Sequence, residues 1–327
     1  SISLRYCQIP NELSMIFQLT VPVEPSKTKI NINDKICFLG SCFSDEIGGR
    51  SGAHGLSTLS NPFGTIFHPI PLARILMNSL KSNNKVDVLA HNKLFYDWDS
   101  SHVFSSSSEK EHQLKLSDSQ ALLKEQIKGD SWLFVTFGTS IGYRHKQKNM
   151  IVANCHKQNQ DLFEKEQVDL DEMYVAWVDA LKALYTLNPK LNIVFTVSPV
   201  RHIKDGLITN NQSKSKLFVL IEKLKKDFPV LYFPSYEIVI DGLRDYRFYK
   251  KDLIHPNEQA IDFVWSHFVK TYFSQKNESL LNRILKLRTA ENHQLINKDQ
   301  VETEKLEIWI SKERKKINEE LGKDFNL

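Results

Sequence analysis

Two short segments of the 327-residue chain carry side chains of the kind that attack a carbonyl and activate the attacker. The first is Gly40-Ser41-Cys42-Phe43-Ser44, directly after the apolar run Ile36-Cys37-Phe38-Leu39. A short apolar run that stops at glycine reads as a buried strand ending in a tight turn. A helix is expected next, from about Phe43 to Arg50. A thiol or hydroxyl in such a turn is exposed and lies at a helix N-terminus, where unpaired N–H groups and the helix dipole favour a thiolate or a developing oxyanion. The plainer alternative is that Gly40 permits the turn while Ser41 or Ser44 caps the helix. The second segment is Lys251-Asp252-Leu253-Ile254-His255-Pro256-Asn257. An Asp and a His three apart project to one side of a turn, so the carboxylate can orient the imidazole and leave its other nitrogen to act as a base. Here the alternative is a cap at Asp252 or Asn257 beside a surface histidine.

Elements able to hold these segments recur along the chain. Apolar runs at Trp132–Phe137, Met150–Ala153, Ile193–Val197 and Val230–Phe233 alternate with helix-period stretches at about 117–128, 168–187 and 214–227. Strand and helix in alternation predict an α/β fold, a mostly parallel sheet covered on both faces. In such a sheet ligands sit outside the carboxyl ends of the strands, which is where both segments belong. The region 86–116 breaks the rhythm. Lys93–Trp98 and His102–Phe104 read as a hairpin and Ser105–Ser108 as a polar loop, together a small insertion at the sheet edge. Residues 1–35, broken by Pro10, Pro22 and Pro25, are expected to wrap the body as an arm. The main domain is placed at 36–274. Beyond it, 275–327 holds a short amphipathic helix around Leu280–Leu287 and a charged one over 298–321, a helical appendage able to support oligomerisation.

Composition narrows the classes. With 41% hydrophobic and 25% charged residues the chain has the make-up of a globular protein, and 12 Gly and 11 Pro exclude collagen-like structure. A net charge of +4 from 43 basic and 39 acidic side chains does not supply the basic stripe that nucleic acid requires. No apolar run approaches the roughly 18 residues of a membrane helix, and the first residues lack the charged and apolar regions of a signal peptide. The cysteines Cys7, Cys37, Cys42 and Cys155 are too scattered for a disulfide framework or a zinc ribbon. Reduced thiols and a cytoplasmic location are the expectation. Cys155 beside His156 lacks further ligands at zinc-like spacing, so neither a metal nor another cofactor is expected.

Taken together the motifs resemble the GSCFA family, named for the pentapeptide seen here as Gly40-Ser41-Cys42-Phe43-Ser44, with Ser44 in place of alanine. The resemblance spans roughly 36–270. It includes Asn61-Pro62-Phe63-Gly64, Thr136-Phe137-Gly138-Thr139, Val152-Ala153-Asn154-Cys155-His156-Lys157, Val197-Ser198-Pro199-Val200-Arg201-His202 and Asp252-Leu253-Ile254-His255-Pro256. That family looks like a branch of the SGNH, or GDSL-like, hydrolases. The resemblance implies a flavodoxin-like three-layer α/β/α sandwich, a nucleophile after the first strand, oxyanion donors from a Gly and an Asn, and a late Asp-x-x-His. Laid over the Gly-Asp-Ser pattern, Gly40 matches the Gly, Ser41 the Asp and Cys42 the nucleophilic serine, with Ser41 the fallback nucleophile.

The second departure is that Gly138-Thr139-Ser140 stands where the parent pattern has Gly followed by Asn. Asn154 is then the substitute amide donor and Gly64 the backbone donor, against turn roles for both. Gly138 and Asn61 fall in the same set of binding positions. His202 sits at another strand end and is expected to line the pocket, while Arg201 faces either an anionic substrate group or a structural salt bridge. The implied activity is hydrolysis or acyl transfer on a small-molecule or carbohydrate ester through a Cys/Ser-His-Asp acyl-enzyme. The alternative is a non-catalytic relative that binds a sugar or a partner in the same cleft.

Overall fold

A computed structural model describes residues 19–81, 86–292 and 300–321. Its elements begin with β1 (Lys35–Gly40), α1 (Cys42–Ala53), β2 (Ser57–Ser60) and α2 (Pro69–Leu80). Next come β3 (Leu89–His91), β4 (Leu94–Tyr96), α3 (Glu109–Gln126) and β5 (Ser131–Phe137). The middle of the chain forms β6 (Ile141–His145), β7 (Met150–Val152), β8 (Phe163–Gln167), α4 (Leu170–Leu187), β9 (Asn192–Val197) and α5 (Leu207–Asp227). The last elements are β10 (Leu231–Tyr232), the short α6 (Ser235–Glu237), α7 (Glu258–Tyr272), α8 (Gln275–Glu291) and α9 (Gln300–Leu321).

Five strands pair in parallel in the order β2-β1-β5-β9-β10. Counted within this sheet alone the order is 2-1-3-4-5, the flavodoxin-like arrangement whose ligand crevice opens where the order reverses, at the ends of β1 and β5. Alternate side chains of each strand supply two cores. Cys37, Leu39, Leu133, Val135, Phe137, Ile193 and Phe195 pack with α2, α3, α4 and α5, through side chains such as Leu76, Leu123, Trp177 and Leu217. Phe38, Trp132, Phe134 and Val194 face the other way, onto Phe43 and Ile47 of α1 and Val264 and Phe268 of α7. The result is the expected α/β/α layering. Burial on both faces explains why the central strands read as continuous apolar runs, each large side chain contributing roughly 1.5–3 kcal/mol.

Four local expectations change. Met150–Ala153 does not enter the central sheet. As β7 it pairs antiparallel with β6, which also pairs with β8, in a separate three-stranded sheet ordered β7-β6-β8. A four-residue apolar run carries no periodicity that separates the two placements. The edge strand β2 is the polar Ser-Thr-Leu-Ser, with no strand signature in sequence. In the insertion the hairpin is β3–β4, and His102–Phe104 is a 3-10 turn rather than a strand. Finally, α2 and α7 are full helices where the sequence reading assigned none; α2 starts at Pro69, with His68 as its cap.

Residues 19–34 reach the end of α7, where the Ile30 N–H donates to Tyr272 O at 2.7 Å and the Ser26 N–H to Thr271 O at 2.9 Å. The charged α9 packs on α8 through Leu280, Ile284, Leu287 and Ile317. Arg283 of α8 adds ion pairs to Glu313 and Glu320 at 2.6 and 2.7 Å. The apolar stripe of α8 is therefore occupied within the chain. Cys7 lies outside the described residues; Cys37, Cys42 and Cys155 are free thiols. Among the described residues no helix is long and apolar enough to cross a membrane.

Candidate active site

The turn after β1 is set by how close two strands approach. Gly40 has φ +130°, and a Cβ there would sit 2.1 Å from the carbonyl oxygen of Thr136 on β5, so only glycine fits. The Gly40 N–H donates to Asn61 Oδ1 at 2.8 Å, and the Ser41 N–H to Thr136 O at 3.2 Å. Ser41 is the N-cap of α1. Its hydroxyl accepts the Phe43 N–H at 3.3 Å, donates to Ser198 Oγ at 3.0 Å, and is wholly buried. Ser44 is buried too, donating to Thr136 Oγ1 at 2.8 Å. The capping role expected as the plainer alternative thus falls to Ser41. Cys42 lines two cavities, and neither Ser41 nor Ser44 reaches them. As the first residue of α1, Cys42 has an N–H with no carbonyl behind it in the helix.

The Asp252–His255 turn is folded on itself. Asp252 Oδ1 accepts the N–H groups of Ile254 and His255 at 2.9 and 3.0 Å, and Oδ2 lies 2.7 Å from His255 Nδ1. Those two backbone donors, that of His255 first, together with the imidazole hold the carboxyl down at about 2. An ionised carboxylate requires a proton on Nδ1, which leaves the Nε2 lone pair of neutral His255 free for base chemistry.

Cys42 and His255 line one cavity of about 430 Å³, with Phe67, Thr139, Val152 and Arg201 among its other walls. They also line a second, of about 400 Å³, together with Val200, Lys250 and Asp252. The thiol is not ionised in advance by its helix terminus. Burial pushes it up, Asp45 and Glu46 of α1 push the same way, and the opposing pull of its own backbone N–H and of Lys250 does not offset them.

The remaining expected residues divide. Asn61 serves the turn: beyond Gly40, its amide donates to Asp45 Oδ1 at 2.9 Å and to Ser41 O at 3.4 Å. Gly64 is not poised as an oxyanion donor, because its N–H is spent on Asn61 O at 2.8 Å and its positive φ closes that loop against Ser101. Asn154 is turned back on its own chain, its Oδ1 accepting the His156 N–H at 2.8 Å, and it lines neither cavity. Gly138 lines neither cavity and gives its N–H to the O of the wall residue Phe67 at 2.8 Å. Cys155 is only half-buried, and burial pushes its thiol up to about 11.

Arg201 and His202 both line the larger cavity. Of the two partners expected for Arg201, the salt bridge is absent among the described residues. Its guanidinium stacks over Tyr249 and Tyr246, 4.3 and 5.1 Å from the ring centroids, and donates to Leu253 O at 3.4 Å. His202 is held by its N–H to Asn210 Oδ1 at 2.9 Å, and burial with the neighbouring Lys214 and His255 drives its imidazole down to about 3.

Sequence reasoning passed over Lys214. This residue is 2% exposed and its ammonium donates to Gly138 O at 2.6 Å and Ser198 O at 2.7 Å, tying the ends of β5 and β9 beneath the cleft. A signal was present, because Lys214 occupies the apolar stripe that continues through Leu217, Ile221 and Leu224. His68 was also passed over: its Nδ1 accepts the Ile70 N–H at 3.2 Å, which fixes the proton on Nε2. Lys165 and Lys204 came from loops and strands with no motif to mark them.

The family model described as the GSCFA family matches residues 35–268. No curated protein matches the chain. Among solved structures it is similar to a carbohydrate esterase family 3 from Talaromyces cellulolyticus, at 9% sequence identity and a TM-score of 0.36, over 77% of this chain and 99% of that one. A likeness that distant bears on neither substrate nor mechanism.

Proposed function

This chain belongs to the GSCFA family, and we propose that it transfers acyl groups from an ester through a thioester on Cys42. The observation that carries the reading is that His255, its Nδ1 2.7 Å from Asp252 Oδ2, lines the same cavity as Cys42. In the first half-reaction His255 Nε2 takes the thiol proton as Sγ bonds to the ester carbonyl carbon. Because the resting thiol is neutral, this proton transfer belongs to the attack itself rather than to a preformed ion pair. The Cys42 N–H, at the positive end of α1, supports the oxyanion. Collapse breaks the carbon–oxygen bond, and imidazolium returns the proton to the departing alkoxide. Water or a second hydroxyl then attacks the thioester, again giving its proton to His255. Sγ leaves and recovers a proton. A thioester is a competent acyl donor, so hydrolysis and transfer to an alcohol, including a sugar hydroxyl, follow the same steps.

The test is to treat the protein with 4-nitrophenyl acetate and with iodoacetamide and to map both adducts by mass spectrometry. The reading expects Cys42 to carry the acetyl group, and the acylation rate to collapse in His255→Ala. Adducts that avoid Cys42, or a rate indifferent to His255, overturn it.

A second reading, a cleft that binds a carbohydrate or partner without turnover, draws support from the Gly64 N–H being committed to Asn61 O and from Asn154 lining neither cavity. It predicts that Cys42→Ala retains glycan binding while no ester acylates the parent protein.

A further inference from the structure

We propose that the substrate carries a negatively charged oxyanion, carboxylate or phosphate, on the side of the larger cavity lined by Arg201 and Lys204. The proposal rests on the acyl-transfer reading and deepens it by naming what the cleft selects. The charged side chains on the cavity wall, apart from His255, are Lys165, Arg201, Lys204 and Asp205. Lys165 and Asp205 pair with each other. Neither Arg201 nor Lys204 has a carboxylate within 4.0 Å among the described residues. The histidines do not change that balance. His68 and His202 are both held at about 3, neutral above that pH, and the ionised Asp252 that holds His255 lines the second cavity and not this one. Two cationic residues without a carboxylate partner among the described residues therefore line a cavity whose walls also include Ile141, Val152 and Ala153. Low-dielectric walls concentrate the field of unopposed charges inside a cleft.

Arg201 is also pre-arranged. Stacked on Tyr249 and bonded to Leu253 O, it holds its planar fork in place before any ligand arrives, so little rotamer entropy remains to be lost on binding. Its own N–H donates to Ile254 O at 3.4 Å, in the turn that holds Asp252 and His255. An anion seated on Arg201 is thereby held in register with the base, and the apolar wall takes the rest of the substrate.

Iodoacetate and iodoacetamide test this directly, since they alkylate the same thiol and differ in charge. The ratio of their rates at Cys42, divided by the same ratio for the uncharged thiol 2-mercaptoethanol, is expected to exceed one by about 5- to 10-fold at low ionic strength and to fall with salt. In the Arg201→Gln/Lys204→Gln double variant it should return to about one. A wild-type ratio near one, or a raised ratio that the double variant keeps, overturns the proposal. Protection of Cys42 by inorganic phosphate or by glutarate, at matched ionic strength, assigns the oxyanion to phosphate or carboxylate, and protection by neither also overturns it. The His255→Ala acylation rate separates the two ideas. A flat reagent ratio with acylation still dependent on His255 removes only the anion site. A raised ratio with His255-independent acylation removes only the catalytic reading.

Discussion

Asp252 grips His255 twice, through the imidazole Nδ1 at 2.7 Å and through the backbone N–H at 3.0 Å, so one carboxylate fixes both where the ring sits and which nitrogen bears the proton. An amide in its place can turn its NH₂ toward Nδ1 and reverse that tautomer. Asp252→Asn is expected to slow acylation of Cys42 by about 10²- to 10⁴-fold, with thermal unfolding almost unmoved because the side chain is exposed. Stopped-flow release of 4-nitrophenol measures the first and circular dichroism the second. A slowing below about threefold would leave Asp252 a turn residue.

Asp252 is ionised down to about pH 2. Any acid limb that the acylation rate shows above about pH 4 therefore does not report loss of the carboxylate. The profile of Asp252→Asn should keep that limb while dropping in height. A limb that vanishes with the carboxylate would contradict the assignment.

The thiol of Cys42 is held above its ordinary value of 9.0. A raised value favours the protonated form, so in His255→Ala the alkylation rate at neutral pH should fall below that of a free thiol and keep climbing past pH 9. Levelling at or below pH 8 would show a pre-ionised thiolate and a different mechanism.

At Gly40 the constraint is steric. A Cβ 2.1 Å from Thr136 O, on backbone at φ +130°, has no room to relax without separating β1 from β5. Gly40→Ala is expected to cost more than about 3 kcal/mol, read as a drop in the urea midpoint. A loss under about 1 kcal/mol would mean that the turn readjusts freely.

Lys214 predicts a pH dependence of stability. An unfolded lysine keeps its proton to about 10.4, whereas burial brings Lys214 down to about 7. Between those values the unfolded chain binds the additional proton, so raising the pH favours the folded state, and below about 7 the full penalty is present. Lys214→Met removes this contribution. From about pH 7 to 9.5 the wild type should gain on the order of 1–3 kcal/mol relative to the variant in urea titrations. Parallel curves would rule the contribution out.

Much of this architecture was legible because central strands buried on both faces must be apolar throughout: Ile36–Leu39, Trp132–Phe137 and Ile193–Val197 all lie in the sheet. That Cys42, Asp252 and His255 reach one cavity was legible because strand ends and tight turns confine where side chains can point. Elements held by partners distant in sequence were not. Ser57–Ser60 is a strand only because β1 pairs with it, and Met150–Val152 follows β6 instead of the main sheet. That Gly64 spends its N–H on its own loop, and that Asn154 lines neither cavity, no residue type reveals. Lys214 was hidden by its charge, which makes a buried position look like a surface one.

The two cavities of about 430 and 400 Å³ share Cys42, Val200 and His255. A thiol with room on both sides need not clear one before the other fills. Donor and acceptor then need not compete for a single seat, and the order of events becomes a matter of kinetics: an acceptor can already be waiting when the first alcohol departs.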